Sequence, residues 1–148
     1  MENYNILIPP TKRAELGSLL LHLADDALDK ANFALTPQKI SESKLELLLL
    51  LVSQNDKRHF LLPSEIAEKL GIKRASVTKQ LIWLEKRRLI SRSISAQDQR
   101  MVNVNITASG YELLARAMPL YWGACTDLSS GLSEEEVALL FTLLQKIH

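Results

Sequence analysis

A single cysteine, Cys125, among 148 residues leaves no intrachain disulfide framework. It fits a reducing compartment, so the expected location is the cytoplasm. Histidine is also scarce: His22, His59 and His148 lie far apart, with no His/Cys/Asp spacing of the kind that holds a metal. Five glycines form no phosphate-cradling loop, and neither a G-x-S-x-G elbow nor a plausible nucleophile–base set is present. These absences point away from an enzyme, and no cofactor is expected. The longest apolar run, Leu45 to Val52, contains Glu46 and is far too short to cross a bilayer. The start, MENYNILIPP, lacks the basic opening and small-residue cleavage site of a secretory signal.

What is present is charge, unevenly placed. From Lys57 to Arg100 there are eleven basic and four acidic residues, a net of +7. The remainder holds seven basic and thirteen acidic residues, a net of −6. The overall +1 therefore conceals two oppositely charged parts. A basic block on a compact unit is the footprint of a phosphate-binding surface, although taken alone it can equally be a solvated face.

Within that block, residues 63–106 read as two short helices meeting at Gly71, then a hairpin. Pro63 suits a first helical position ahead of Ile66, Ala67 and Leu70. Gly71 supplies the turn, because a left-handed backbone there carries no Cβ penalty. The next helix, about 73–87, has an apolar face of Val77, Leu81 and Leu84. A strand starts at Leu89-Ile90, SISAQDQR forms a wing tip, and Val102, Val104 and Ile106 alternate on the return strand. His59-Phe60-Leu61 is a candidate third strand. The order is helix-turn-helix followed by a β-wing.

Helices flank this lobe. After an extended arm ending at Pro9-Pro10, Thr11 caps a helix over about 12–33, with Leu16, Leu19, Leu20, Leu23, Ala27 and Ala31 at helical spacing. Leu21 and Leu28 widen that stripe. Ser41-Glu42 opens a second helix through Leu45, Leu48, Leu49 and Val52, closed by the polar stretch SQNDKR. Thr107 caps a long helix from 108 to about 129, in which Pro119 predicts a bend. GLSEEEVALLFTLLQKI reads as a cap, an acidic first turn and a final amphipathic helix. The fold class is mainly α with a small β-wing. The domain reading is one domain, 1–148, with 40–106 the DNA-binding lobe and 11–33 and 108–148 helices for dimerisation. The broad leucine stripes have little left to cover within one winged-helix unit, and surplus apolar surface of that kind meets a partner.

A helix entering a major groove needs short polar or basic residues at its N-terminal end. The DNA-facing set is Ser64, Lys73, Arg74, Ala75, Ser76, Thr78, Lys79 and Arg100. Arg74 suits a guanine edge, a pairing worth ~1–3 kcal/mol of discrimination. Ser76 and Thr78 suit a base or a phosphate, and Lys73 and Lys79 suit phosphates, which fix position without carrying sequence information. Arg100 ends the wing tip and suits a narrow minor groove, with the Asp98 carboxylate expected to hold its guanidinium extended. The plainer alternatives are a surface Arg100–Asp98 salt bridge and a solvated Arg74. Ile82 and Trp83 are expected to pack under the wing or against the preceding helix.

At these residues the chain resembles the MarR family of winged-helix transcription regulators. The pieces that carry the resemblance are SEIAEKLGIKRASVT, LEKRRLISR, the wing DQR and NITASG, with SESKLELLLLL similar to the family's second helix. The resemblance implies a homodimer with its first and last two helices intertwined, reading a pseudo-palindromic double-stranded operator, most often as a repressor. It also implies regulation by a small ligand or by oxidation. Three departures stand out. Arg88 occupies the place of a usual glycine, so that turn is expected to find another conformation. Leu62 replaces a usual threonine cap, at a cost of about 1 kcal/mol. Ala75 and Ile82 sit where polar residues are frequent.

His22, Tyr111 and Trp122 are candidates for lining a cleft for a small aromatic or phenolic effector, with ordinary interface packing as the alternative. Cys125, without a basic neighbour to lower its pKa, reads as packed and inert. Beside the regulator, two other classes stay open: a winged-helix protein-interaction module and a non-specific architectural DNA binder.

Overall fold

The computed structural model describes residues 11–53 and 60–148. The Pro9-Pro10 arm, Lys57, Arg58 and the His59 end of the proposed third strand lie outside that set. Six helices and one hairpin follow in the order α1 Lys12–Ala34, α2 Glu42–Ser53, α3 Pro63–Leu70, α4 Arg74–Lys86, β1 Ile90–Ile94, β2 Val102–Ile106, α5 Ala108–Asp127 and α6 Glu134–Gln145, with a 3-10 turn at Thr36–Gln38 after α1. The mainly helical fold with a two-stranded wing is the one expected.

Local chemistry sets the helix starts. The hydroxyls of Thr11, Thr107 and Ser133 accept backbone N–H bonds from Ala14, Gly110 and Glu136, satisfying donors that the first turn leaves unpaired. Ser133 and Glu136 complete a reciprocal capping box. At α3, Leu62 has no side chain to offer. Only half of such a box exists there, with the Glu65 carboxylate accepting the Leu62 N–H at 2.8 Å. Gly71 ends α3 in the left-handed conformation, φ 64°. Across Pro119, α5 remains one helix.

The core gathers the inward faces of the central elements: Leu45, Leu47 and Leu48 of α2, Ile66 of α3, Val77, Leu81 and Leu84 of α4, Val104 of β2, and Leu113 and Ala117 of α5. The wing strands pair antiparallel from Ile90↔Ile106 to Ile94↔Val102, so β1 extends two residues into the segment read as the tip. Leu61 exchanges backbone bonds with Val104 at 3.1 and 2.8 Å, a single bridge in place of a third strand.

The turn from α4 into β1 departs from expectation. Arg88 does not avoid the glycine-like conformation but adopts it, at φ 60°. Its N–H bonds the Glu85 carbonyl at 2.8 Å, and its carbonyl accepts the Thr107 hydroxyl at 2.7 Å. Those bonds, and delivery of buried Leu89 and Ile90 into the core, outweigh a Cβ penalty of roughly 1–2 kcal/mol.

The terminal helices remain largely uncovered. No residue of α6 is buried, and Leu139 and Phe141 are 61% and 62% exposed. On α1, Leu16, Leu19, Leu21 and Leu23 are all exposed. Among the described residues, no helix is long and apolar enough to cross a membrane.

Candidate nucleic-acid interface

Helix α4 is held by one face. Val77, Leu81 and Leu84 are buried at helical spacing, which turns Ala75, Thr78, Lys79 and Ile82 outward. The helix starts at Arg74 without a side-chain cap, and Lys73, Arg74, Ala75, Ser76, Thr78 and Lys79 are all exposed. The Thr78 hydroxyl donates to the Arg74 carbonyl at 3.0 Å, leaving its oxygen free to accept.

The wing folds back toward this end of α4. A groove of about 310 Å³ is lined by Ser64 at the start of α3, Arg74 and Thr78 of α4, and Arg100, Met101 and Val102 where the wing tip runs into β2. Four of the eight expected DNA-facing residues thus meet in one concavity, drawn from three separate elements. Lys73, Ala75, Ser76 and Lys79 lie on the exposed surface of α4 and its cap, outside the groove's lining. Met101 and Leu62, which also line it, escaped sequence reasoning, since an apolar residue beside a turn carries no signal of a site.

Two expectations are corrected. The Asp98 carboxylate does not hold the Arg100 guanidinium; it accepts the Arg100 backbone N–H at 2.9 Å, closing a turn whose Met101 N–H returns to the Asp98 carbonyl at 2.9 Å. A carboxylate two residues before a backbone N–H satisfies it locally, so Asp98 shapes the wing tip and leaves the guanidinium unclaimed. Ile82 does not pack under the wing. It is 53% exposed, because its position on the helix lies opposite the Val77–Leu81–Leu84 face.

Trp83 does pack inward. Half-buried against the core, it receives the Lys44 ammonium of α2 and the Arg87 guanidinium, each 4.8 Å from its ring centre. Arg87 also donates to the Lys39 carbonyl at 2.6 Å. The wing is fixed to α4 by Arg92 of β1, which donates both Nε, at 2.9 Å, and Nη2 to the Glu85 carboxylate. The hydrogen bond from Arg92 holds the Glu85 carboxyl below its usual range.

Of the candidate effector residues, His22 is exposed on α1 and bonds the Ser18 carbonyl at 2.8 Å. Tyr111 and Trp122 are exposed on α5, Trp122 edge-on to Tyr121 at 5.2 Å. None of the three lines either of two clefts formed between α1 and α5: one of about 780 Å³ beside Phe33 and Leu120, the other of about 210 Å³ beside Tyr121 and half-buried Cys125.

Comparison with known proteins agrees with this architecture. The model of the MarR family matches residues 40–102, the α2-to-wing lobe. The transcriptional repressor MprA of Escherichia coli is 31% identical over 138 residues, covering 93% of this chain and 77% of the relative. In the solved S. aureus MepR–DNA complex, MepR is 29% identical and superposes with a TM-score of 0.77 over 88% of this chain and 94% of that one. Bordetella bronchiseptica BpsR, whose DNA binding is regulated by 6-hydroxynicotinic acid, shares the fold at a TM-score of 0.78 and 21% identity, over 90% and 98% of the two chains. On the family match and the MprA identity together, the chain belongs to the MarR family.

Proposed function

We propose that the chain is a dimeric, sequence-specific transcriptional repressor whose affinity for DNA falls when a small effector binds. The convergence of Ser64, Arg74, Thr78 and Arg100 on one groove of the basic lobe carries this reading. Arg74 and Thr78 present the start of α4 to base edges, Lys73 and Lys79 take phosphates, and Arg100 enters the flanking minor groove. Ile82 and Ala75, outward on the same helix, offer apolar contact to thymine methyl groups. Asp98 supports the wing. His22, Tyr111 and Trp122, exposed on α1 and α5, are assigned to packing between the two copies and not to the ligand site. Relatives support the reading: MprA is a repressor, MepR is solved on DNA, and the DNA binding of BpsR responds to a small molecule.

The dimer is inferred from the exposed leucines of α1 and α6, which a second copy would cover. A two-fold axis there sets two α4 helices about 34–36 Å apart, one duplex turn, which suits a pseudo-palindrome. Such a regulator works in the cytoplasm.

The test is binding of the purified chain to its own upstream intergenic DNA, against random duplex, at about 150 mM salt. A preference of ~10³ or more for the specific site is the expected result. Weak binding erased equally by any competitor would overturn sequence-specific repression at that site. A monomer mass in light scattering at micromolar concentration would overturn the dimer.

A further inference from the structure

The smaller α1–α5 cleft, about 210 Å³, has walls of one character and a single charge. Ala27 and Leu28 of α1 face Tyr121, Cys125 and Leu128, and Glu42, the first residue of α2, closes one end. Below the ~300–1,000 Å³ of drug-sized sites, this volume suits one ring with a short tail.

The surrounding charge is negative. The Glu42 carboxyl titrates above its usual range, first because it is partly buried and then because Glu46 lies one turn further along α2. Burial likewise raises the Tyr121 phenol, with Cys125, Glu42 and Glu46 adding to the effect, so the phenol stays neutral. Asp25, Asp26 and Asp29 lie on the neighbouring turns of α1. Basic groups on these elements are engaged elsewhere or face elsewhere: Lys44 lies over Trp83, Arg116 bonds Gln38 at 3.2 Å, His22 bonds Ser18, and Lys30 lines the larger cleft. Among the described residues, Glu42 has no ion-pair partner. A phenolic or carboxylic anion entering here would meet Glu42, with the charge of Glu46 behind it, and no compensating cation in the cavity's lining. A protonated amine would supply the missing counter-charge, with its apolar part against the aliphatic wall and Tyr121.

We propose that this cavity is the effector site, and that it takes a small hydrophobic cation, a protonated arylalkylamine or ammonium, with Glu42 as its counter-charge. The ring matches the small aromatic or phenolic effector expected from the sequence while the charge is new, and the proposal rests on the proposed function only for the word effector. The first turn of α2 links the cavity to the DNA-facing helix: Glu42 lines the cavity, while Lys44, two residues on, lies over Trp83 of α4. A cation drawing on Glu42 therefore acts on the turn that braces α4.

Calorimetry on the full chain at pH 7 without DNA tests the cavity, using 2-phenylethylamine, neutral 2-phenylethanol and anionic phenylacetate. The amine should bind at least tenfold more tightly than phenylacetate. Glu42→Gln should cost the amine tenfold or more and leave phenylethanol within about twofold, the alcohol reporting that the cavity is intact. Phenylacetate binding as tightly as the amine, or amine binding unchanged in Glu42→Gln, would overturn the assignment. With operator DNA present, the amine should weaken binding by wild type and not by Glu42→Gln; amine binding that leaves DNA affinity unchanged would overturn the effector role. If the chain bound no operator at all, the proposed function would fail while the calorimetry still decided the chemistry of the cavity.

Discussion

Replacing Gly110 by alanine sets two effects of opposite sign against each other. Gly110 lies in the first turn of α5, and alanine in a helix is favoured over glycine by ~1 kcal/mol. Yet a Cβ at Gly110 would stand 2.3 Å from the Leu89 carbonyl oxygen and 2.6 Å from Cγ1 of Ile106. The Leu89 oxygen belongs to backbone and already accepts the Thr107 N–H at 3.0 Å, so it has little freedom to retreat. Forcing extra volume into such a contact costs typically 1–3 kcal/mol, and loss of the Thr107–Leu89 bond adds about 0.5–1.5 kcal/mol. The clash therefore wins, with a net loss of roughly 1–3 kcal/mol after the helix gain. For a chain of this size that lowers Tm by about 2–4 °C per kcal/mol. Thermal and urea unfolding should be compared at one fixed protein concentration, because dimer dissociation makes both depend on it. The wing should also shift relative to α5, since Leu89 and Ile106 flank the hairpin. Gly110→Ala as stable as wild type, or more so, would refute the close approach of α5 to the wing.

Arg88→Gly should raise stability by about 0.5–1 kcal/mol, the strain relieved at φ 60° less the added freedom of the unfolded chain, whereas Arg88→Ala should gain nothing; equal melting curves for both variants would argue against backbone strain. Arg74→Ala should lower the ratio of specific to random-duplex affinity, while Lys79→Ala weakens all sequences alike and reduces the salt slope by about one, as read by fluorescence anisotropy across a salt series. Identical effects of Arg74→Ala on every duplex would remove it from base reading. The Glu85–Arg92 pair should show a coupling below ~1 kcal/mol in a double-mutant cycle, because both groups are substantially exposed. Since folding lowers the Glu85 pKa from its usual 4.5, that coupling should be present above this value and disappear as pH falls through the lowered one; a coupling that grows in acid would contradict the assignment.

Much of the fold is legible along the chain because it rests on short-range rules. Helical spacing of Val77, Leu81 and Leu84 settles which face of α4 is buried, Gly71 marks the turn, and threonine and serine caps mark where α1, α5 and α6 begin. The basic block from Lys57 to Arg100 likewise announces a phosphate-facing lobe.

Part of what sequence reasoning missed depended on partners distant along the chain, and part on choices between neighbours that spacing alone leaves open. Arg88 is left-handed because the Thr107 hydroxyl, nineteen residues away, takes its carbonyl. Asp98 had two groups of one residue to choose between, and its carboxylate takes the Arg100 backbone N–H and not the guanidinium. Trp83 is braced by Lys44 and Arg87, while Ile82, its neighbour in sequence, faces outward. Glu42 looks like an ordinary helix-start acid until the fold closes α1 and α5 around it and burial raises its pKa. Periodicity, capping and turn preference act over a few residues and are written in the order of the chain. Convergence of side chains, and the field they create together, exists only once packing has brought separate elements into contact.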